Sequence, residues 1–276
     1  MIGAIIGDIA GSTFEMKNVK SKDIPIFAPK SGYTDDSLMT IAVAKALLSA
    51  ERQDVLDNET LMHALFAKSM VCIAREYPCQ RGGYGGSFSA WLNRSIQMPY
   101  NSYGNGSAMR VSPCGYVGKD LEEVLKLAKW SAEVSHDHPE GIKGAQAIAA
   151  AVYLAREGRD KNYIRQFINE HFYNLNFTLD NIRPVYKFDV TCQGSVPQAI
   201  EAFLESTSFE DAIKNAISIG GDSDTIAAMA GSIAWPFYKK NGGMTDGMYY
   251  LWKAARFLLG DELTAIAADF EAKFDS

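Results

Sequence analysis

The sequence predicts an all-α fold. Apolar residues recur at intervals of three and four along most of the 276 residues, as on the buried side of amphipathic helices. Serine, threonine, asparagine or aspartate stands before several of these runs, where a helix N-terminus needs a cap. Alternating β-branched runs between turn signals, which predict strands, extend over a few positions at most. With no linker, repeat array or charge block to divide the chain, we expect a single compact multi-helix domain over 1–276.

The first helix with clear periodicity is predicted over 36–50, after the capping candidates Thr34 and Asp35. Small residues cover most faces of the stretch 141–155, which suits a buried helix packed closely against its neighbours. In chain order, the further helices are predicted over 59–76, 120–134, 140–157, 160–172, 196–206, 209–218, 223–239, 246–259 and 262–273.

Three connections, 16–33, 77–106 and 174–195, are long for a helical domain and lack periodicity. They contain aromatic residues, glycine and polar residues rather than low-complexity sequence, so we expect ordered loops that form a site.

Composition and charge narrow the class of protein. Hydrophobic residues make up 47% of the chain and charged residues 22%, which is typical of a globular protein with a large core. A net charge of -6 argues against nucleic acid as a bulk electrostatic partner. The N-terminal sequence MIGAIIGDIAGS lacks a basic start and is interrupted by Asp8, so it is a poor signal peptide. No run of 18 apolar residues predicts a membrane span, and four cysteines without CxxC spacing fit free thiols in the cytoplasm.

Two segments far apart in the sequence have the same residue pattern at a predicted helix start. In GYTDDS (32–37) and in GGDSDT (220–225), glycine leads into carboxylates and hydroxyls that open an apolar helix. Helix capping explains one or two of these oxygens, because a cap needs no more. Each segment supplies two carboxylates and flanking hydroxyls, and a further carboxylate, Glu15, follows a glycine-punctuated stretch. The excess suggests a second role for these side chains beyond capping.

If the two helix starts face each other, four carboxylates converge near Glu15. Repulsion and desolvation in such a cluster destabilise the folded protein by several kcal/mol, roughly as for other buried like charges, unless cations neutralise it. Oxygen ligands without histidine or cysteine in either motif favour Mg²⁺, Mn²⁺ or Ca²⁺ over Zn²⁺.

Two other segments are candidates for substrate contacts. Residues 103–113 form a glycine-bearing loop that runs into a short helix, where free backbone N–H groups suit phosphate oxygens; a turn without a ligand explains the segment equally well. His136 and His138 suggest a metal site, but Pro139 and Glu140 favour the first turn of a helix with a cap at 137 or 138. The glycine-rich loop 82–88 and the segment 191–197 are either pocket walls or plain turns.

The motifs G-D-x-x-G-x-x-x-E (Gly7, Asp8, Gly11, Glu15), T-D-D-S (34–37) and G-G-D-S-D-T (220–225) together resemble those of the ADP-ribosylglycohydrolases. Each motif is weak alone, but all three occur in the family's order. The resemblance implies an all-α domain with its active site at clustered helix N-termini and a centre of two Mg²⁺ or Mn²⁺ ions. Ser37 departs mildly from the pattern, since many members have threonine there.

The resemblance also implies roles for individual residues. The implied metal ligands are Thr34, Asp35, Asp36, Asp222, Asp224 and Thr225. The implied catalytic residues are Glu15, Asp35 and Asp36. The implied contacts to ADP-ribose are Asn105, Gly106, Ser107, Met109 and His136, with His138 in support. Arg110 either pairs with phosphate or forms a structural salt bridge.

The predicted function is therefore metal-dependent hydrolysis of the glycosidic bond between ADP-ribose and an acceptor, which is a protein side chain, a nucleobase or a small molecule. Two alternatives remain. A catalytically silent ADP-ribose-binding protein is disfavoured by the intact acidic set. A phosphohydrolase is suggested by the superficial likeness of Asp222-Ser223-Asp224-Thr225 to a D-x-D-x-T nucleophile loop, but it requires a long buried strand before Asp222 and alternating strands and helices.

Overall fold

The computed structural model describes residues 1–275, which form fifteen helices and no strand. The prediction of an all-α fold is confirmed, and the helices pack around a shared apolar core; the domain assignment over 1–276 stays a prediction. The helices are α1 (Ile2–Gly11), α2 (Asp35–Gln53), α3 (Glu59–Glu76), α4 (Gly86–Leu92), α5 (Gly106–Met109), α6 (Cys114–Val117), α7 (Leu121–Glu133), α8 (Pro139–Arg156), α9 (Lys161–His171), α10 (Leu179–Ile182), α11 (Cys192–Leu204), α12 (Phe209–Ser218), α13 (Ser223–Gly242), α14 (Asp246–Leu259) and α15 (Asp261–Phe274).

The closest helix pair is α1 with α13. A Cβ atom added at Gly7 would lie 2.0 Å from the carbonyl oxygen of Ala227, and one added at Gly3 would lie 2.0 Å from that of Gly231. The two backbones therefore touch, which glycine alone permits. Because Gly3, Gly7 and Gly11 are spaced by four residues, they share the side of α1 that faces α13.

Helix α1 is absent from the sequence-based prediction. All ten of its residues are buried, so it has no polar face and no amphipathic period. The short helices α4, α6 and α10 were missed as well, because four to seven residues are too few to show a period.

The remaining predicted helices are present, with ends that differ by a few residues. The largest shift is at α11, which begins at Cys192 rather than at 196 because the Thr191 side chain caps it by accepting from the Gly194 N–H. The closely packed stretch 141–155 forms most of the buried helix α8. Within residues 1–275, no helix is long and apolar enough to cross a membrane.

Candidate metal centre and substrate cavity

Asp8 joins α1 to the start of α2. Its Oδ2 accepts hydrogen bonds from the backbone N–H groups of Thr34 and Ser37, each 3.0 Å long, and its Oδ1 accepts from the Thr34 hydroxyl at 2.7 Å. The Ser37 hydroxyl also donates to Oδ2. Four donors therefore hold one fully buried carboxylate, and the carboxylate fixes where α2 begins relative to α1.

The starts of α2 and α13 lie side by side. Oxygen atoms of Asp8, Asp36 and Asp224 lie within 4.8 Å of one another, and so do those of Glu15, Asp222 and Asp224. The two groups share Asp224. The Thr225 hydroxyl donates to Asp36 Oδ2 across 3.1 Å, which links the two helix starts directly. The distant acidic segments thus form one cluster, named here the acidic cluster.

Two oxygens of the acidic cluster have no hydrogen-bond partner within the described residues, although both are buried: Asp36 Oδ1 and Asp224 Oδ1. Asp222 stands at the N-cap position of α13 but does not cap it; its Oδ2 instead accepts from Asn105 Nδ2 at 2.7 Å. Buried carboxylate oxygens without donors are costly unless a cation binds them. Because these donors are all oxygens, the cluster fits hard divalent cations such as Mg²⁺ or Mn²⁺.

The cluster shifts its own acid–base equilibria. Burial, followed by the charge of Asp8, raises the pKa of Asp35 to about 8. Burial raises the pKa of Asp8 to about 6, against the opposing effect of its hydrogen bonds to Ser37 and Thr34. The pKa values of Asp36 and Asp224 lie well above the usual range, again through burial first and neighbouring carboxylates second. A divalent cation and protons therefore compete for the same oxygens.

A cavity of about 380 Å³ opens next to the acidic cluster. Its walls include the ring of His136 and the glycine-rich loop 82–88, and the half-exposed Phe188 and Val190 also line it. Ten of the residues predicted from the sequence line it: Glu15, Asp35, Asp36, Asn105, Gly106, Met109, His136, Asp222, Asp224 and Thr225.

His136 is buried and held in place on the cavity wall. Its Nδ1 lies 2.7 Å from the Ser135 hydroxyl. Burial, and then the charge of Arg110, lowers its pKa well below the usual value, so the ring is neutral at neutral pH. A Cβ atom at Gly106 would lie 3.0 Å from His136 Nε2, so glycine at 106 keeps this face of the imidazole close to the loop.

Arg110 lies beside His136 and is also buried. Its guanidinium donates to the Ser131 carbonyl and the Ser135 hydroxyl, both at 2.9 Å, and its carbon lies 5.7 Å from the centroid of the Phe88 ring. Among residues 1–275 no carboxylate forms an ion pair with it, so the alternative of a structural salt bridge is wrong.

Two predicted site residues lie behind the cavity wall. Thr34 is buried beneath the acidic cluster and caps α2 by accepting from the Asp36 N–H at 3.2 Å. The Ser107 hydroxyl donates to the Gly141 carbonyl at 2.7 Å, so this side chain faces α8 rather than the cavity. His138 caps α8, accepting from the Glu140 N–H at 3.1 Å, as the helix-start interpretation predicts.

The sequence-based site omits Asp8, Phe188 and Val190. Asp8 gave a usable signal, since it is the one charge within an otherwise apolar buried run. Phe188 and Val190 gave none, because they reach the cavity through long-range pairing: the Asn105 N–H donates to the Val190 carbonyl at 2.8 Å, beside a bridge between Gly104 and Thr191.

The fold is helical, and carboxylates from three helix ends converge beside a cavity. The family model for ADP-ribosylglycohydrolase matches residues 1–234, and the chain belongs to that family.

Several proteins of known name are similar along most of their length. ADP-ribosylhydrolase ARH3 of Gallus gallus is 30% identical, with 86% of this chain and 84% of that protein covered. ARH3 of Homo sapiens is 28% identical, with 86% and 84% covered. ADP-ribosylarginine hydrolase Tri1 of Pseudomonas putida is 25% identical, with 88% and 70% covered.

A solved structure titled ADP-ribosylglycohydrolase-related protein complex matches with a TM-score of 0.66 and 19% identity. It covers 98% of this chain, and 95% of that chain is matched. At this identity the likeness supports the fold alone.

Proposed function

We propose that the protein hydrolyses the glycosidic bond between ADP-ribose and an acceptor, with two Mg²⁺ or Mn²⁺ ions in the acidic cluster. The observation that carries the proposal is the pair of unpartnered buried oxygens, Asp36 Oδ1 and Asp224 Oδ1, beside a cavity of about 380 Å³. The relatives named as hydrolases of ADP-ribosyl groups support the substrate class.

The proposed ligands are Thr34, Asp35, Asp36, Asp222, Asp224 and Thr225. We assign Asp8 a positioning role instead, because its hydrogen bonds from Thr34 and Ser37 fix where α2 begins. When bound, divalent cations of this kind acidify water and polarise sugar hydroxyls. The oxygen-only donor set favours Mg²⁺ or Mn²⁺.

The chain's own residues then supply binding and proton transfer. Water attacks the anomeric carbon of the ribose, and the bond from that carbon to the acceptor breaks. Asp35 or Asp36 takes the proton of the water, as carboxylates do in other glycoside hydrolysis. Glu15, at the edge of the cavity, orients the departing acceptor, which takes up one proton as it leaves, so that the products are free ADP-ribose and the protonated acceptor. Burial first and the charge of Asp222 second raise the pKa of Glu15, which favours the protonated carboxyl relative to a free glutamate.

The remaining walls of the cavity bind the nucleotide. Neutral His136 offers Nε2 beside Gly106 as a hydrogen-bond partner without adding charge. Asn105 holds Asp222 in place through its side-chain amide while its backbone pairs with Val190. The aromatic rings of Phe88, Tyr100 and Phe188 give the cavity apolar surface for a base or a ribose face.

The phosphohydrolase alternative lacks its structural requirement. Residues 209–218, which precede Asp222, form α12 rather than a strand, and the described chain contains no alternating strands and helices.

The proposal is tested with a panel of ADP-ribosylated arginine, serine, DNA and O-acetyl conjugates, assayed with Mg²⁺, Mn²⁺ or a chelator. We expect metal-dependent release of ADP-ribose from at least one conjugate. Asp36→Asn and Asp224→Asn should each lower kcat/KM by about 100-fold or more, as the loss of a catalytic metal ligand does. Asp23→Asn is the matched control, because Asp23 is exposed and outside the cluster.

Full activity in chelator, or in either cluster variant, would contradict the proposal. Tight binding of ADP-ribose by calorimetry without hydrolysis of any conjugate would instead support a silent binding protein.

A further inference from the structure

A second group of candidate metal ligands lies away from the acidic cluster. Glu59 and His63 stand four residues apart on α3, and Glu133 is the last residue of α7. One ligand atom from each lies within 4.8 Å of the other two. The four-residue spacing places Glu59 and His63 on the same face of α3. All three residues line a separate cavity of about 820 Å³.

The spacing of two of these atoms favours a shared cation over a direct hydrogen bond. His63 Nε2 and Glu133 Oε2 are 3.4 Å apart, and both are buried without a hydrogen-bond partner among the described residues. A direct N–H···O bond is shorter, about 2.9 to 3.0 Å. Two ligands held at ~2.0 to 2.1 Å from a tetrahedral zinc ion are about 3.3 to 3.4 Å apart. The observed distance is compatible with that edge, and it also lies within the range of an ion pair with a protonated imidazole.

Neighbouring side chains hold both atoms towards the same point. The His63 ring packs edge-on against Trp130, with centroids 6.4 Å apart. Lys129 lies 3.5 Å from Glu133 Oε1, which leaves Oε2 free for another partner. Glu59, the first residue of α3, is exposed and has no ion pair in residues 1–275, so its carboxylate is free to turn towards the other two.

We propose that Glu59, His63 and Glu133 bind one Zn²⁺ or a similar borderline divalent cation, with a fourth position open to the cavity. The imidazole sets this site apart from the oxygen-only acidic cluster, because zinc accepts mixed nitrogen and oxygen ligands and Mg²⁺ does not favour them. The site ties α3 to the end of α7, three residues before His136 in the chain. It does not depend on the proposed function of the acidic cluster.

The test is a calorimetric titration of the full chain with Zn²⁺ in a large excess of Mg²⁺, which competes with zinc for the oxygen-only acidic cluster. We expect one equivalent of zinc to bind. His63→Gln and Glu133→Gln should each weaken this binding at least tenfold, roughly the effect of losing a ligand or its support. His171→Gln and Cys72→Ser are the matched controls and should leave it unchanged. Cys72 is included because it lines the same cavity.

X-ray absorption at the zinc edge on the unmodified protein keeps the test independent of how the variants fold. The expected shell contains nitrogen and oxygen and no sulfur. A sulfur ligand, loss of binding in Cys72→Ser, unchanged binding in folded His63→Gln or Glu133→Gln protein, or no zinc bound beyond the acidic cluster would each overturn the proposal.

Discussion

The raised pKa of Asp8 makes the stability of the metal-free protein depend on pH, and this dependence tests the electrostatics of the acidic cluster. Burial raises the pKa of Asp8 from 3.8 to about 6 in the folded protein. The folded state therefore binds this proton more tightly than the unfolded state does. The resulting contribution to stability is present below about pH 4 and is lost as the pH rises through about 6. Chelated protein should become less stable over that window.

The magnitude follows from the size of the shift. About two pKa units, at ~1.4 kcal/mol each, give about 3 kcal/mol for Asp8 alone. The group is fully buried, so solvent screening does not reduce this figure. Asn at position 8 carries no charge and preserves the geometry: its oxygen accepts from the Thr34 and Ser37 N–H groups, and its amide donates to the Thr34 hydroxyl.

The assay is denaturant unfolding of wild-type and Asp8→Asn protein in chelator, at about pH 4.5 and about pH 7.5, on either side of the titration. We expect the variant to be more stable than wild type by up to about 3 kcal/mol at the higher pH, with a much smaller difference at the lower pH. Asp23→Asn should follow wild type at both. Two results would contradict this prediction. One is an Asp8→Asn protein that is less stable than wild type at the higher pH. The other is a variant that loses as much stability as wild type between the two pH values.

Two close glycine contacts and the raised pKa of Asp35 can each be tested separately. Gly7→Ala should lower the free energy of unfolding by about 3 kcal/mol, since its Cβ would meet the Ala227 carbonyl oxygen at 2.0 Å. The control is Gly247→Ala on α14, whose Cβ meets nothing closer than 3.8 Å; this variant should melt like wild type. Gly106→Ala should raise the Kd for ADP-ribose several-fold by displacing the His136 ring, and Gly242→Ala at the end of α13, which has open space and lies outside the cavity lining, should not; equal Kd values in calorimetry would contradict this. Mn²⁺ affinity, measured by paramagnetic titration, should fall as the pH drops below about 8, because Asp35 then holds a proton that the cation must displace; a pH-independent affinity would contradict it.

The fold was predictable where a helix has two different faces. Helix α2 was found within a few residues because the Thr34 cap precedes a clear apolar period. Helix α1 was not found, because complete burial gives every position the same apolar character. Its glycines at intervals of four indicate close helix packing. They do not identify the partner helix, because that helix lies more than 200 residues away in the sequence.

The site was predictable to the extent that its chemistry is concentrated at helix starts. The excess of carboxylates at 35–36 and 222–224 pointed to a cluster, and the structure brings these segments together. The position of the Ser107 side chain was not predictable from the motif around it, because its orientation depends on the carbonyl of Gly141 on a distant helix. The position of Phe188 likewise depends on tertiary pairing with the segment at Gly104.

The proposed function requires Asp36 and Asp224 to share bound divalent cations at the edge of the substrate cavity. Anomalous diffraction from crystals grown with Mn²⁺ and ADP-ribose measures this directly. We expect manganese peaks between the two carboxylates, with the ribose end of the ligand facing them. Crystals that hold ADP-ribose in the cavity but show no manganese against these carboxylates would contradict the proposed function.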